Sequence, residues 1–296
     1  MRPYRSMLYV PGNKPSWMEK SIQYGADALI LDLEDSVPDN EKLSSRSLVK
    51  GGLKALKSKG QPCYVRINAM ATGLTFGDLD NVVCPELDGV SLPKVESVDD
   101  MKALDIYIAH LEKYTHMPLG SVEIILVLET AKAMRNAYEI AISCPRIRRI
   151  SLAAGPGGDA NRAIGYVWSK EGKETLFLRS KTVLDSRAAG IHYPMISSWW
   201  NIKDLEGLEQ DCLFNRQLGF KGQVVIHPSH VPVVNKIFTP SAEEIAYCKG
   251  LIEAVEEAKR KGLAAVVYQG DMVDLAMVTT AREMLKFASS IGLQDN

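Results

Sequence analysis

Eight short apolar runs, each followed by a stretch with room for a helix, constrain this 296-residue chain more than any other feature. They are SMLYVPG (6–12), ADALILDLED (26–35), PCYVRINA (62–69), DGVSLPKVE (88–96), VEIILVLET (122–130), RIRRISLAAG (146–155), GIHYPMIS (190–197) and GQVVIHP (222–228). Runs rich in Val, Ile and Leu are the pattern of strands covered on both faces. Segments between them, such as LSSRSLVKGGLKALKSKG and DLEGLEQDCLFNRQLGF, carry apolar residues at helical spacing with Gly near the end. Eight alternations predict an α/β fold, a parallel sheet closed into a (β/α)8 TIM barrel. An open doubly wound sheet competes, but it does not require eight units and no GxGxxG opens a helix here. After residue 235 the texture changes. FTPSAEEIAYCKGLIEAVEEAKRKG predicts a long amphipathic helix capped by Ser, and AVVYQGDMVDLAMVTTAREMLKFASSIG an extended piece, a turn and a second helix. The expected domains are a barrel catalytic domain over 1–235 and a C-terminal helical extension over 236–296, packed beside its own barrel or reaching a neighbouring subunit.

Composition narrows the function classes. Lys and Arg are spread along a chain of net charge −1, so no basic patch points to nucleic acid. Nothing approaches the roughly 18 consecutive apolar residues of a membrane span. MRPYRSMLYVPG enters a strand-like run with no long apolar segment ahead of it, so no secretory signal is expected. Five widely spaced cysteines form no CxxC, which suggests buried thiols in a reducing, cytoplasmic compartment.

Chemistry gathers where the strands end. VEIILVLETA runs through five apolar residues after its first glutamate and stops at Glu129. An unpaired buried carboxylate costs several kcal/mol or takes up a proton, so Glu129 needs a cation, donors or water. The other runs end alike: Asp32, Glu34 and Asp35 after the second, Arg66 and Asn68 after the third, Lys94 and Glu96 after the fourth, Asp159 after the sixth, His227 after the eighth. The carboxyl ends of barrel strands are where such folds keep their active sites. Glu129 and Asp159, from adjacent strands, suit one hard divalent cation, and Mg2+ takes one or two carboxylates with water and substrate oxygens. His227 and His230 flank Pro228 and are read as structural rather than as zinc ligands. Gly155-Pro156-Gly157-Gly158 offers either N–H groups to an oxyanion or an easy turn. The planar fork of Arg66 suits a carboxylate or a thioester-ketone oxygen, or an ion pair with Glu34 or Asp35. Lys94 raises a Schiff-base alternative, set aside because a metal pair lies near and Glu96 is at hand to neutralise it.

YRSMLYVPGN, ALILDLEDSV, YVRINA, VSLPKVES, LVLETAKAM, the GGD of AAGPGGDANRAIG, GFKGQVVIHPSHV and YQGDMVD occur in that order. Together they resemble the citrate lyase β-subunit-like family, with its citramalyl-CoA and malyl-CoA lyases, within the HpcH/HpaI aldolase superfamily. The resemblance spans nearly the whole chain. It implies a TIM barrel with a C-terminal extension, usually in homotrimers or hexamers, and Mg2+ on Glu129 and Asp159. It implies a substrate-carboxylate role for Arg66, with Glu34, Asp35 and Lys94 beside it, and CoA handling near the first strand by Arg5, Lys14 and Arg2. It also implies that Asp274, in YQGDMVD, is the acid/base and reaches the site from an adjacent subunit; Asp271 lies nearer the turn. Two departures stand out: Gly158 where many relatives have Glu, and Trp199-Trp200 in SSWWNIKD where relatives often have Tyr or Asp, indoles that would reshape the acyl pocket. The implied activity is reversible, Mg2+-dependent cleavage of a 3-hydroxyacyl-CoA to acetyl-CoA and a 2-oxo acid such as pyruvate or glyoxylate. The alternatives are a β subunit of a citrate lyase complex working on a citryl group held by an acyl carrier, an aldolase of free 2-oxo acids, and a non-catalytic scaffold.

Overall fold

A computed structural model describes residues 2–293. The chain divides into two compact units, Tyr4–Phe238 and a second running from Thr239 that also takes in the N-terminal residues up to Pro3. Helix His230–Phe238 thus completes the first unit, and the division falls just beyond the change in texture at residue 235.

The first unit is a closed parallel barrel of eight strands in chain order. They are β1 (Ser6–Pro11), β2 (Ala28–Asp32), β3 (Cys63–Arg66), β4 (Gly89–Leu92), β5 (Glu123–Leu128), β6 (Ile147–Leu152), β7 (Met195–Ile196) and β8 (Gly222–Val225). All eight runs supply a strand. The weakest is β7, two residues long, because Pro194 cannot donate to a ladder. Side chains alternate across the barrel wall. Outward ones such as Leu29, Leu31, Val65, Val90, Leu126 and Leu152 enter the main core beneath the helices. Inward ones, Met7, Ala28, Ile30, Tyr64, Ile125, Met195 and Val224, fill the barrel itself.

Register brings the strand ends together. Pro11 pairs with Asp32, Asp32 with Arg66, and Arg66 with Ser91, so one row of the barrel carries an acid and a base side by side where the carboxyl ends open. Thr130 accepts from the backbone N–H of Ala133 at 3.1 Å and caps helix Ala131–Arg135. The chain therefore turns at once after Leu128, which leaves Glu129 at the lip.

The second unit contains helix Ala242–Arg260, begun by a capping box between Ser241 and Glu244. An antiparallel hairpin follows, β9 (Ala265–Tyr268) and β10 (Asp271–Asp274), then helix Leu275–Ser290. Cys248, Leu251, Val255, Val273, Val278 and Ala281 form its core. No helix among the described residues is long and apolar enough to cross a membrane. All five cysteines are buried and free.

Candidate active site

A cavity of about 370 Å³ opens at the carboxyl ends of the strands, lined by Asp32, Asp35, Arg66, Glu129 and Asp159 with Tyr9, Ser151, Ser197, Ser198 and Trp200. Arg66 is gripped by Asp32: Nε donates to Oδ1 at 2.7 Å and Nη2 to Oδ2 at 2.6 Å. Its guanidinium lies 4.7 Å from the Tyr9 ring centre. The remaining nitrogen, Nη1, faces Glu34 at 3.1 Å and Asp35 at 3.3 Å. Asp35 is 63% exposed, so that contact is the one an incoming carboxylate can replace. Both partners expected for Arg66 are present, yet the dominant one is Asp32, the residue directly across the ladder.

Lys94 stitches the acids together. Its ammonium donates to Glu34 Oε1 at 2.7 Å and lies 3.2 Å from Asp159 Oδ2. Its backbone N–H donates to Glu129 Oε1 at 3.0 Å, from a left-handed conformation at φ +54° that a side chain rarely adopts without a reason. Glu96 does not pair with it; that carboxylate faces Lys132 at 3.8 Å. Burial works against the Lys94 ammonium, but the bond to Glu34 outweighs it and holds the proton more firmly than in water. A lysine so held is a poor Schiff-base nucleophile, which needs the neutral amine.

Electrostatics single out Glu129. Burial first, then the Glu34 carboxylate, pushes its carboxyl up to about 7, with Asp159 adding to the rise and Lys94 and Arg66 opposing it. That corresponds to roughly 3 kcal/mol against the charged form. Burial raises Glu34 as well, although Arg66 and Lys94 lean the other way. For Asp32 burial alone would do the same, but Arg66 overrides it and the carboxyl sits below its ordinary range. Five carboxylates, Asp32, Glu34, Asp35, Glu129 and Asp159, thus surround two inward cations, Arg66 and Lys94. The hard oxygen donors of Glu129 and Asp159 fit a divalent ion of the Mg2+ type, whose charge would reverse the penalty on Glu129. No cluster of three or more metal-ligating side chains occurs among the described residues, so such an ion would rest on this pair plus water or substrate.

Other predicted residues fall elsewhere. Arg5 precedes β1, at the amino end of the strands, where it chelates Asp27 through Nε at 3.0 Å and Nη2 at 2.7 Å; it is on the wrong end of the barrel for this cavity. Lys14, exposed at the N-cap of helix Pro15–Ser21, does sit at the carboxyl end of β1. His230 is buried and edge-on to His227, ring centres 6.0 Å apart, in keeping with a packing role. Asp274 lies in the second unit and caps helix Leu275–Ser290, with Oδ1 accepting from Ala276 at 2.9 Å and Met277 at 3.3 Å.

A family model described as HpcH/HpaI aldolase/citrate lyase matches residues 5–228. The chain belongs to that family. A citrate lyase subunit beta from Leuconostoc mesenteroides subsp. cremoris is 34% identical over 292 residues, 99% of this chain and 95% of the relative. A (3S)-malyl-CoA thioesterase from Cereibacter sphaeroides is 33% identical over 290 residues, 98% and 96% of the two chains. Among solved structures, the CitE protein of Mycobacterium tuberculosis in complex with magnesium, acetoacetate and coenzyme A has 28% identity and a TM-score of 0.73, covering 97% of this chain and 98% of that one. This chain is accordingly an enzyme of the lyase family, of the citrate lyase β type, on a TIM barrel. Sequence reasoning missed Tyr9 and the Ser151, Ser197 and Ser198 hydroxyls; inward alternation along β1 and β6 was the available signal for the first two.

Proposed function

We propose that this enzyme reversibly cleaves a 3-hydroxyacyl-CoA, such as citramalyl-CoA or malyl-CoA, to acetyl-CoA and a 2-oxo acid, with Mg2+ held by Glu129 and Asp159. The observation that carries this reading is the raised, under-compensated carboxyl of Glu129 beside Asp159 and Arg66 in one cavity. The magnesium and coenzyme A bound to the M. tuberculosis relative agree with it. Bound there, the ion would supply Lewis acidity to the carbonyl oxygen of the oxo acid. Arg66, fixed by Asp32 and backed by Tyr9, orients the acid's carboxylate through Nη1, and Lys94 holds Glu34, Glu129 and Asp159 in place. In the condensing direction the acetyl-CoA methyl gives a proton to the carboxylate of Asp274, its carbon bonds to the keto carbon as the C=O π bond breaks, and the alkoxide left on the keto oxygen takes a proton from water to become the hydroxyl. Cleavage runs these steps in reverse. Asp274 accepts its two helix N–H groups through Oδ1 alone, which leaves Oδ2 for the proton, and we assign it to the pocket of another copy in a homo-oligomer.

For the thioester arm we assign a second cavity, about 380 Å³, lined by Trp17, Lys20, Tyr24, His227 and Pro228 and sharing Tyr9, Pro11 and Ile226 with the first. Its aromatic walls suit an adenine or a pantetheine chain and Lys20 a phosphate; on this reading CoA is handled after the first strand, with Lys14 nearby and without Arg5.

The test offers the purified protein Mg2+, acetyl-CoA and a panel of 2-oxo acids and identifies the condensed thioester by mass. No thioester with any acid would overturn the reading. The near full-length match to a citrate lyase subunit beta favours one competitor, a subunit acting on a citryl group carried by a partner protein. Turnover of free CoA thioesters separates the two.

A further inference from the structure

Trp200 is 49% exposed and forms part of the wall of the active-site cavity. Its indole is pressed against the loop that follows β6. A Cβ added to Gly155 would come within 2.5 Å of the indole Nε1, and one added to Gly158 within 3.3 Å of Cζ2. Gly157 is different: its φ of +63° needs glycine for the backbone, and nothing lies near the missing Cβ. Two of the three loop glycines are therefore bare because an indole occupies their side, and Gly158 directly precedes Asp159. The segment is anchored next door: Trp199 is 5% exposed, its ring 5.5 Å from that of Trp168. With its backbone anchored by the buried Trp199 and its ring laid along a glycine track, Trp200 is a bulky wall of the cavity that Asp159 also lines.

We propose that Trp200 is a specificity-determining residue that limits the substituent on the keto carbon of the 2-oxo acid to hydrogen or methyl. The inference rests on the lyase reading above, and it narrows the substrate class to glyoxylate-like and pyruvate-like acids. A single methylene at an apolar wall changes discrimination by roughly 10–200-fold, so one added carbon is enough to reveal it.

Wild type, Trp200→Ala and Trp200→Phe are compared on glyoxylate, pyruvate, 2-oxobutyrate and 2-oxovalerate with Mg2+, by calorimetric binding and by kcat/KM for condensation with acetyl-CoA. In wild type the drop from pyruvate to 2-oxobutyrate is expected to be at least about tenfold. Trp200→Ala removes that drop and Trp200→Phe gives an intermediate one. An unchanged pyruvate to 2-oxobutyrate ratio in Trp200→Ala overturns the proposal. So does a loss of acetyl-CoA affinity with the acid ratio intact, which would put the indole on the thioester side. If the acids bind with the expected size step but no thioester forms, the lyase reading fails and the wall stands. If thioesters form with no size step in wild type, the wall fails and the lyase reading stands.

Discussion

Two buried glutamates at opposite ends of the barrel show how the same side chain serves two purposes. Glu112, at the amino end, is saturated: Arg146 donates to it at 2.6 and 2.7 Å, and the backbone N–H groups of Gly120 and Val122 each at 2.8 Å. Burial alone would raise its carboxyl, but the bonds from Arg146 and the backbone hold it below the ordinary range. Glu129, at the carboxyl end, accepts a single N–H from Lys94 and is pushed up to about 7. The amino end spends its charges on closing the barrel, as Arg149 also does, paired with Glu123 beneath the Tyr4 and Tyr64 rings. The carboxyl end leaves Glu129 under-compensated, which is the feature the proposed cation site rests on. A charge whose partners are complete is structural, and one whose partners are missing awaits a ligand.

The widest separation between the two ends is expected in stability. Glu112→Ala strands a buried guanidinium and two backbone donors, and equilibrium urea unfolding should show a loss of about 3 kcal/mol or more. Glu129→Ala removes a group the metal-free fold holds at a cost, and the loss should stay within about 1 kcal/mol. Comparable losses in both variants would erase the distinction.

Asp274 sharpens it within one side chain, since the same carboxylate caps a helix and is assigned the proton transfer. Asn caps helices as well as Asp does but cannot take the proton. Asp274→Asn should leave the melting curve in place while kcat falls by roughly a hundredfold or more, the scale of a lost general base. Retained turnover would return Asp274 to a purely structural role. A smaller effect is expected for metal. Calorimetry should show Glu129→Ala binding Mg2+ at least about tenfold more weakly, near 1.4 kcal/mol, whereas a Glu96→Ala variant, whose carboxylate faces Lys132, should bind it like wild type. Equal affinities in all three would remove Glu129 from the metal site.

Much of this contrast was legible before any coordinates. β-Branched and Leu runs buried on both faces announce strands, and the position of a polar residue just after a run announces the open end; Arg66, Lys94, Glu129 and Asp159 all meet there. The same rule applied to Arg5 would have placed it correctly, because it comes before its run and therefore at the closed end with Asp27. Partner choice was not legible. Whether Arg66 takes Asp32 or Asp35 depends on ladder register, and whether Lys94 reaches Glu34 or Glu96 depends on a left-handed backbone at Lys94 that no local composition announces. The contact of Trp200 with Gly155 and Gly158 joins loops from different strands, so the bulk of the indoles was visible but not its target.

The finest expected difference is in proton linkage. Glu129 in the metal-free protein is raised to about 7, so the fold takes up its proton, and its contribution to stability is present at low pH and lost as pH rises toward 7. Glu112 is depressed, so its contribution has the opposite sign and is lost only as the solution becomes acidic. A cation must displace the proton from Glu129. Mg2+ affinity should therefore fall by up to about tenfold for each pH unit below 7 and level off above it. Calorimetry at pH 6, 7 and 8, in buffers of differing ionisation heat, reads both the affinity and the released proton. A flat affinity with no proton released across that range would mean that Glu129 is already charged when the ion arrives, and that the two ends of the barrel hold their acids alike.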